Sequence, residues 1–175
     1  SADSAPRNSV DSAPGDSADT ARRLIRVGRL LFARGGFEGT SVRTLTQAAE
    51  ANLGAVTYHF GSKEALYHAV LSLVFGPVRE GVQRLEEAPL PAPQRLELFV
   101  HAMFHHLREH DDLPRFMVQE IVLGEDPSPQ ILNTVGTVVG VLSRIMAAGQ
   151  EEGTIVEGDP VLMALTLLSQ PIYLS

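Results

Sequence analysis

The chain has no cysteine. That excludes a disulfide framework and any thiolate metal site. No uninterrupted apolar run approaches the roughly 18 residues of a bilayer-spanning helix. The N-terminus lacks the apolar centre of a secretory signal. The expectation is a soluble, cytoplasmic protein with no membrane partner. Strand-like alternation is nowhere sustained, and no internal repeat recurs. Glu-x-x-His pairing is absent, as is any nucleophile–base constellation, so no enzyme, cofactor or resident metal is expected.

The 175 residues suit one domain or two small ones with a real core. A net charge of −7 argues by itself against nucleic acid. Its distribution argues the other way. Residues 20–68 carry seven basic side chains against three acidic ones, and residues 69–175 carry six against 14. Charge divided in this way suggests two modules with different partners.

Residues 1–19 are Ser, Ala, Asp and Pro with almost nothing apolar, which reads as a disordered tail. From Thr20 the pattern turns helical. Leu24, Gly28, Leu31 and Phe32 recur at helical spacing, and Arg22, Arg26 and Arg29 form a basic stripe elsewhere on the helix. Gly35-Gly36 stops this helix. Thr40 and Ser41 can cap a second, over 42–50. Asn52 can cap a third, over 53–60, and Ser62 a fourth, over 63–87. Further helices are expected over 93–110, 114–123, 129–152 and 160–174, several opened by proline. Gly76-Pro77 should kink the fourth helix. The segment LLSQPIYLS stops within an apolar helix, so a further C-terminal helix is expected beyond the residues present. The fold class is therefore all-α: a head over residues 20–68, then a helical bundle over 69–175.

The stretch SVRTLTQAAEANLGAVTYHF reads as helix-turn-helix. At 100° per residue, Leu53, Val56 and Phe60 share one side of the third helix and should pack inward. Gly54, Ala55, Tyr58 and His59 take the opposite side, with Thr57 on the flank. Small residues at 54 and 55 let a helix approach base edges in a major groove, and Ala55 and Thr57 could touch a thymine methyl. The Tyr58 hydroxyl and His59 ring suit phosphate oxygens. Ser62 and Lys63 open the next helix, whose free N–H groups and dipole favour an anion. Thr40, Ser41 and Arg43 offer the same chemistry at the second helix. The expected partner is double-stranded DNA.

Residues 31–70, LFARGGFEGTSVRTLTQAAEANLGAVTYHFGSKEALYHAV, resemble the DNA-binding domain of TetR-family transcriptional regulators. Gly-Phe, Gly-Thr-Ser and Tyr-His-Phe-Gly-Ser-Lys-Glu are specific as a set. The resemblance implies an all-α homodimer that binds an operator with two heads and is released by a small-molecule effector held in the C-terminal domain. It implies phosphate contacts from Thr40, Tyr58, His59 and Lys63, and base-facing positions at Arg43, Asn52, Leu53, Gly54 and Thr57. Two departures stand out. Glu50 occupies a turn position where the family commonly has Gly, and Thr46 replaces a usual Ala.

The second module holds His101, His105, His106 and His110 in HAMFHHLREH. Pairs at i, i+4 can bind a metal, but the four diverge around a side centred on Leu96, Val100, Met103 and Leu107. A helical metalloprotein using that cluster, or a protein-binding helical scaffold, are the alternatives to a regulator. An effector cavity is expected from Met103, Phe104, His106, Phe116, Met117 and Ile121, with Glu120 or Gln119 as polar anchor. The acidic surroundings favour a cationic or neutral effector. The segments 129–152 and 160–174 are more apolar than one buried face requires, which suggests a homodimer interface with Gly136 and Gly140 allowing close contact.

Overall fold

The computed structural model describes the backbone of residues 14–174 and the side chains of 17–169, in both cases without 123 and 125. Every described element is helical. The order is α1 (Pro14–Gly35), α2 (Val42–Ala48), α3 (Ala55–Phe60), α4 (Lys63–Glu87), α5 (Ala92–Glu109) and α6 (Asp112–Met117). A π-helical turn (Val118–Val122) follows, then α7 (Pro129–Glu151) and α8 (Pro160–Leu174).

The helix boundaries follow local chemistry. Ser41 and Ser62 cap α2 and α4, their hydroxyls accepting the N–H of Thr44 and of Ala65, each at 3.0 Å. Two expectations change. α1 begins at Pro14 rather than Thr20, so part of the expected tail is helical. Proline suits a first helical turn, and Asp19 pairs with Arg22 and Arg23 at i+3 and i+4. Residues 1–13 of that tail lie outside the described residues. The expected 114–123 helix starts at Asp112 and passes into the π-helical turn. There Glu120 turns inward to accept Tyr67 Oη at 2.6 Å and the Ser128 N–H at 2.8 Å.

Two apolar clusters organise the packing. The first joins Leu24 and Phe32 of α1, Leu45 of α2, Val56 of α3 and Leu66, Val70 and Phe75 of α4 to Leu113, Phe116 and Ile131. Each such side chain contributes about 1.5–3 kcal/mol by leaving water. Gly28 lets α1 and α4 cross closely: a Cβ there would lie 3.2 Å from Val70 Cγ2. The second cluster gathers Val82 and Leu85 of α4, Phe99 of α5, Val138, Leu142 and Ile145 of α7 and Ala164 of α8. α4 thus runs unbroken from one cluster to the other, through Pro77 and across residue 69.

α7 qualifies the expectation about membranes. Its 23 residues are long and apolar enough to cross a bilayer by length and composition. In this fold Ile131, Val138, Val141, Leu142 and Ile145 are buried within the bundle.

Candidate nucleic-acid interface

Val56 is 1% exposed and pins the short α3 into the head. A six-residue helix has little stability of its own, so this tertiary anchor is what holds it. α2 packs beside it through Leu45, while Arg43 stays exposed. The turn between them places Glu50 at φ +51°, in the left-handed region, as the departure from Gly foreshadows. Thr46 is buried, and its hydroxyl donates to the carbonyls of Val42 and Arg43 at 3.0 and 3.2 Å, so its own helix satisfies it.

α3 begins two residues later than expected. Gly54 is its N-cap, and Asn52 supplies only a carbonyl, which accepts the Ala55 N–H at 2.9 Å. Leu53 therefore lies in the turn and is 64% exposed, against the inward packing that helical spacing suggested. Ala55 is corrected in the opposite sense: it packs against the head core beside Val56. Asn52, Gly54 and Thr57 are exposed, and Tyr58 is 79% exposed. The half-buried His59 ring meets Tyr58 edge-on, with centroids 4.8 Å apart.

Gly61, at φ +84°, turns the chain out of α3, and Ser62 opens α4 one residue later. Two expected anion ligands, and one arginine of the basic stripe, are otherwise engaged. Lys63 Nζ donates to the carbonyls of Phe37 and Thr40 at 2.9 and 3.2 Å and lies 4.0 Å from the centre of the Phe37 ring. Carbonyls just past the end of α1 form a negative pole that attracts the ammonium. Thr40 is 3% exposed, and its hydroxyl donates to Gly36 O at 2.9 Å. Arg29 leaves the expected basic stripe to pair with Asp112. Arg22, Arg26, Ser41 and Arg43 remain exposed.

A helix-turn-helix whose second helix carries exposed Thr57 and Tyr58 is now set between two serine-capped helices. Residues 24–70 match the family model described as bacterial regulatory proteins, tetR family. The head of this chain matches the TetR family. The chain is 29% identical over 136 residues to the HTH-type transcriptional repressor DhaR of a Mycobacterium species, covering 77% of this chain and 69% of that one. The TetR-family regulator PfmR of Thermus thermophilus superposes with a TM-score of 0.68 at 29% identity, over 84% of this chain and 81% of that one. FadR of Bacillus subtilis, solved with stearoyl-CoA, shares the fold with a TM-score of 0.69 at 19% identity, over 85% and 81%. The chain spans between 37% and 69% of the lengths of the first three curated relatives. The chain thus joins an N-terminal helix-turn-helix head like that of TetR-family proteins to a C-terminal helical domain.

A half-open cavity of about 740 Å³ lies among the C-terminal helices and the end of α1. Met103, Met117, Gln119 and Ile121 line it as expected. Four other expected residues do not. Phe116 is fully buried in the core, and Phe104 is 37% exposed. Glu120 is consumed by Tyr67 and Ser128, and His106 lines a separate cavity of about 390 Å³. Arg34 and Arg115, which the sequence did not single out, line the larger cavity, and among the described residues no carboxylate does. This lining argues against the expected preference for a cationic or neutral effector, because local lining outweighs the charge of the whole domain. A basic residue in the last turn of α1 was the available sign of Arg34.

The four histidines separate as their spacing implies. His101 and His105 are exposed, while the His106 and His110 rings meet at a 60° tilt with centroids 4.5 Å apart. Among the described residues no three His, Asp or Glu side chains are placed to hold a metal ion.

Proposed function

We propose that this chain represses transcription as a cytoplasmic homodimer that leaves its operator when a small amphipathic effector fills the 740 Å³ cavity. The observation that carries the reading is the exposure of Tyr58, Thr57, Leu53 and Gly54 along α3 and its entry turn, with Arg43 beside them. In the major groove, Arg43, Asn52, Leu53, Gly54 and Thr57 would face base edges, while Ala55 holds α3 to the head core. Ser41, Tyr58 and His59 would hold phosphates, as would the N-terminus of α4. Lys63 and Thr40 would act by fixing the loop between α1 and α2, with the third ammonium proton of Lys63 left for the backbone of DNA.

The reading divides the chain into a DNA-binding unit over 20–68 and an effector and dimerisation unit over 69–175. No catalytic activity is part of it. Dimerisation is supported by apolar side chains that the single chain leaves in water: Leu132 of α7 and Val161, Leu162 and Leu165 of α8 are 46–63% exposed. Open space over Gly136 would admit a partner helix. Effector binding must favour one spacing of the two heads over another. α4, which enters both cores, is the element that would carry the change.

Selection of bound duplexes from a random pool tests DNA binding and symmetry together. A two-fold symmetric site, with affinity falling steeply as salt rises, is the expected result. A chain that enriches no sequence, or binds without salt dependence, is not a regulator of this kind.

A further inference from the structure

Among the described residues, the charge lining the large cavity is of one sign. Arg34 and Arg115 are its charged lining residues, and its wall is otherwise dominated by aliphatic side chains such as Val78, Leu107 and Val138. Neither cation is neutralised closely by a described carboxylate. Arg34 is exposed and forms none of the ion pairs found among the described residues. Arg115 reaches only Asp111, at 3.9 Å, and that carboxylate is 92% exposed. Such a contact contributes little. An independent feature lies in the same wall. Gln119 spends its amide N–H on the Ala33 carbonyl at 3.1 Å, and its Oε1 is buried with no partner. A buried acceptor without a donor is costly, and a bound molecule can supply one.

We infer that the cavity takes an amphipathic anion: an aliphatic chain among Val78, Leu107 and Val138, an acidic group recruited by Arg34 and Arg115, and a hydrogen-bond donor for Gln119 supplied by the ligand or by a water bound with it. This rests on the proposed reading of the cavity as the effector site and adds the chemistry of the occupant. Guanidinium groups suit such an acid because they bind carboxylate or phosphate through two parallel N–H bonds. A volume of about 740 Å³ fits within the range of roughly 300–1,000 Å³ common for small-molecule sites. The placement of the cations couples the site to the head. Arg34 closes α1, the first helix of the DNA-binding unit, whereas Arg115 belongs to α6. An acid held by both gives α1 a contact that exists only in the occupied state, which is the differential interaction an effector requires.

The experiment titrates the full chain by calorimetry with four eight-carbon probes: octanoate, octanoyl-CoA, 1-octanol and octyltrimethylammonium. Octanoate or octanoyl-CoA should bind at least tenfold tighter than 1-octanol, and the cationic probe weakest of all. The tighter of the two anions identifies a free carboxylate or a phosphate-bearing acyl carrier as the source. The double variant Arg34→Gln with Arg115→Gln should lose the preference for anions while still binding 1-octanol. If that variant is unfolded by circular dichroism, Arg115→Gln alone should weaken the better anion at least threefold, since this residue has only a loose partner. The inference is overturned if 1-octanol or the cation matches the anions in the parent chain, if the folded variants keep the preference, or if no probe binds. Duplex selection on the same preparation separates the two ideas. Operator binding without any amphiphile bound sinks only the ligand assignment, whereas anion binding without DNA binding sinks only the regulator.

Discussion

Arg29 of α1 grips Asp112 of α6 with two nitrogens: Nε meets Oδ2, and Nη2 meets Oδ1 at 2.9 Å. The same Nη2 lies 3.3 Å from His110 Nδ1. The pair ties α1 of the head to α6 of the bundle across 83 residues of sequence. Burial alone would raise the Asp112 carboxyl, but the hydrogen bond and charge of Arg29 outweigh it and hold the group below its ordinary range. Asp112→Asn should cost about 2–3 kcal/mol, because Arg29 keeps its charge and loses its partner. Urea denaturation measures this. A carboxyl lowered by folding contributes stability above its unfolded pKa and loses that contribution as pH falls through the folded value. Asp112→Asn should therefore flatten the acid limb of the parent's stability curve below about pH 4.

His106 predicts a second pH dependence, nearer neutrality. Burial first, then the charges of His110 and Arg29, push its pKa below 6.5, with His105 adding to the effect and Asp112 opposing it. The folded chain thus binds this proton less readily than the unfolded chain. Its contribution is present above the unfolded pKa and is lost as pH falls through the lowered folded value. Thermal midpoints should drop between pH 7 and pH 5, and His106→Gln should reduce that slope. Equal slopes in parent and variant would show that this ring does not set it.

Lys63 has a prediction that separates scaffold from phosphate ligand. Its ammonium holds the Phe37 and Thr40 carbonyls, so Lys63→Met should destabilise the chain by about 1–2 kcal/mol. It should lower the slope of log affinity against log salt by less than Arg43→Ala does. A full phosphate contact corresponds to a slope change of about 1. A larger slope change for Lys63→Met than for Arg43→Ala would reverse the two roles.

Glu50 gives a test of backbone strain. A non-glycine residue at φ +51° costs roughly 1–2 kcal/mol in the left-handed region. Glycine removes that cost but gives some back through the greater freedom of the unfolded chain. Glu50→Gly should stabilise the protein by about 0.5–1 kcal/mol, read from the urea midpoint at unchanged m-value. A lower midpoint would mean that the Glu50 side chain contributes more than the strain it imposes.

The sequence by itself determined the helices, because caps, prolines and apolar spacing act within a turn or two. Ser41, Ser62, Pro129 and Pro160 mark four helix starts correctly. It also determined the helix-turn-helix and, in Glu50, the one residue described outside glycine that takes a positive φ. Only the tertiary structure decided which polar side chains are free. Lys63 and Arg29 look like surface cations until the Phe37 carbonyl and Asp112 arrive from 26 and 83 residues away. Leu53 turned outward because α3 starts at Ala55, a choice made by the burial of Val56 and not by helical spacing. Arg34 and Arg115 share a cavity wall only because α1 packs on α6. The physical reason is one of range: hydrogen bonds inside a helix join near neighbours in the chain, whereas cavities and ion pairs join whatever the packed core brings together.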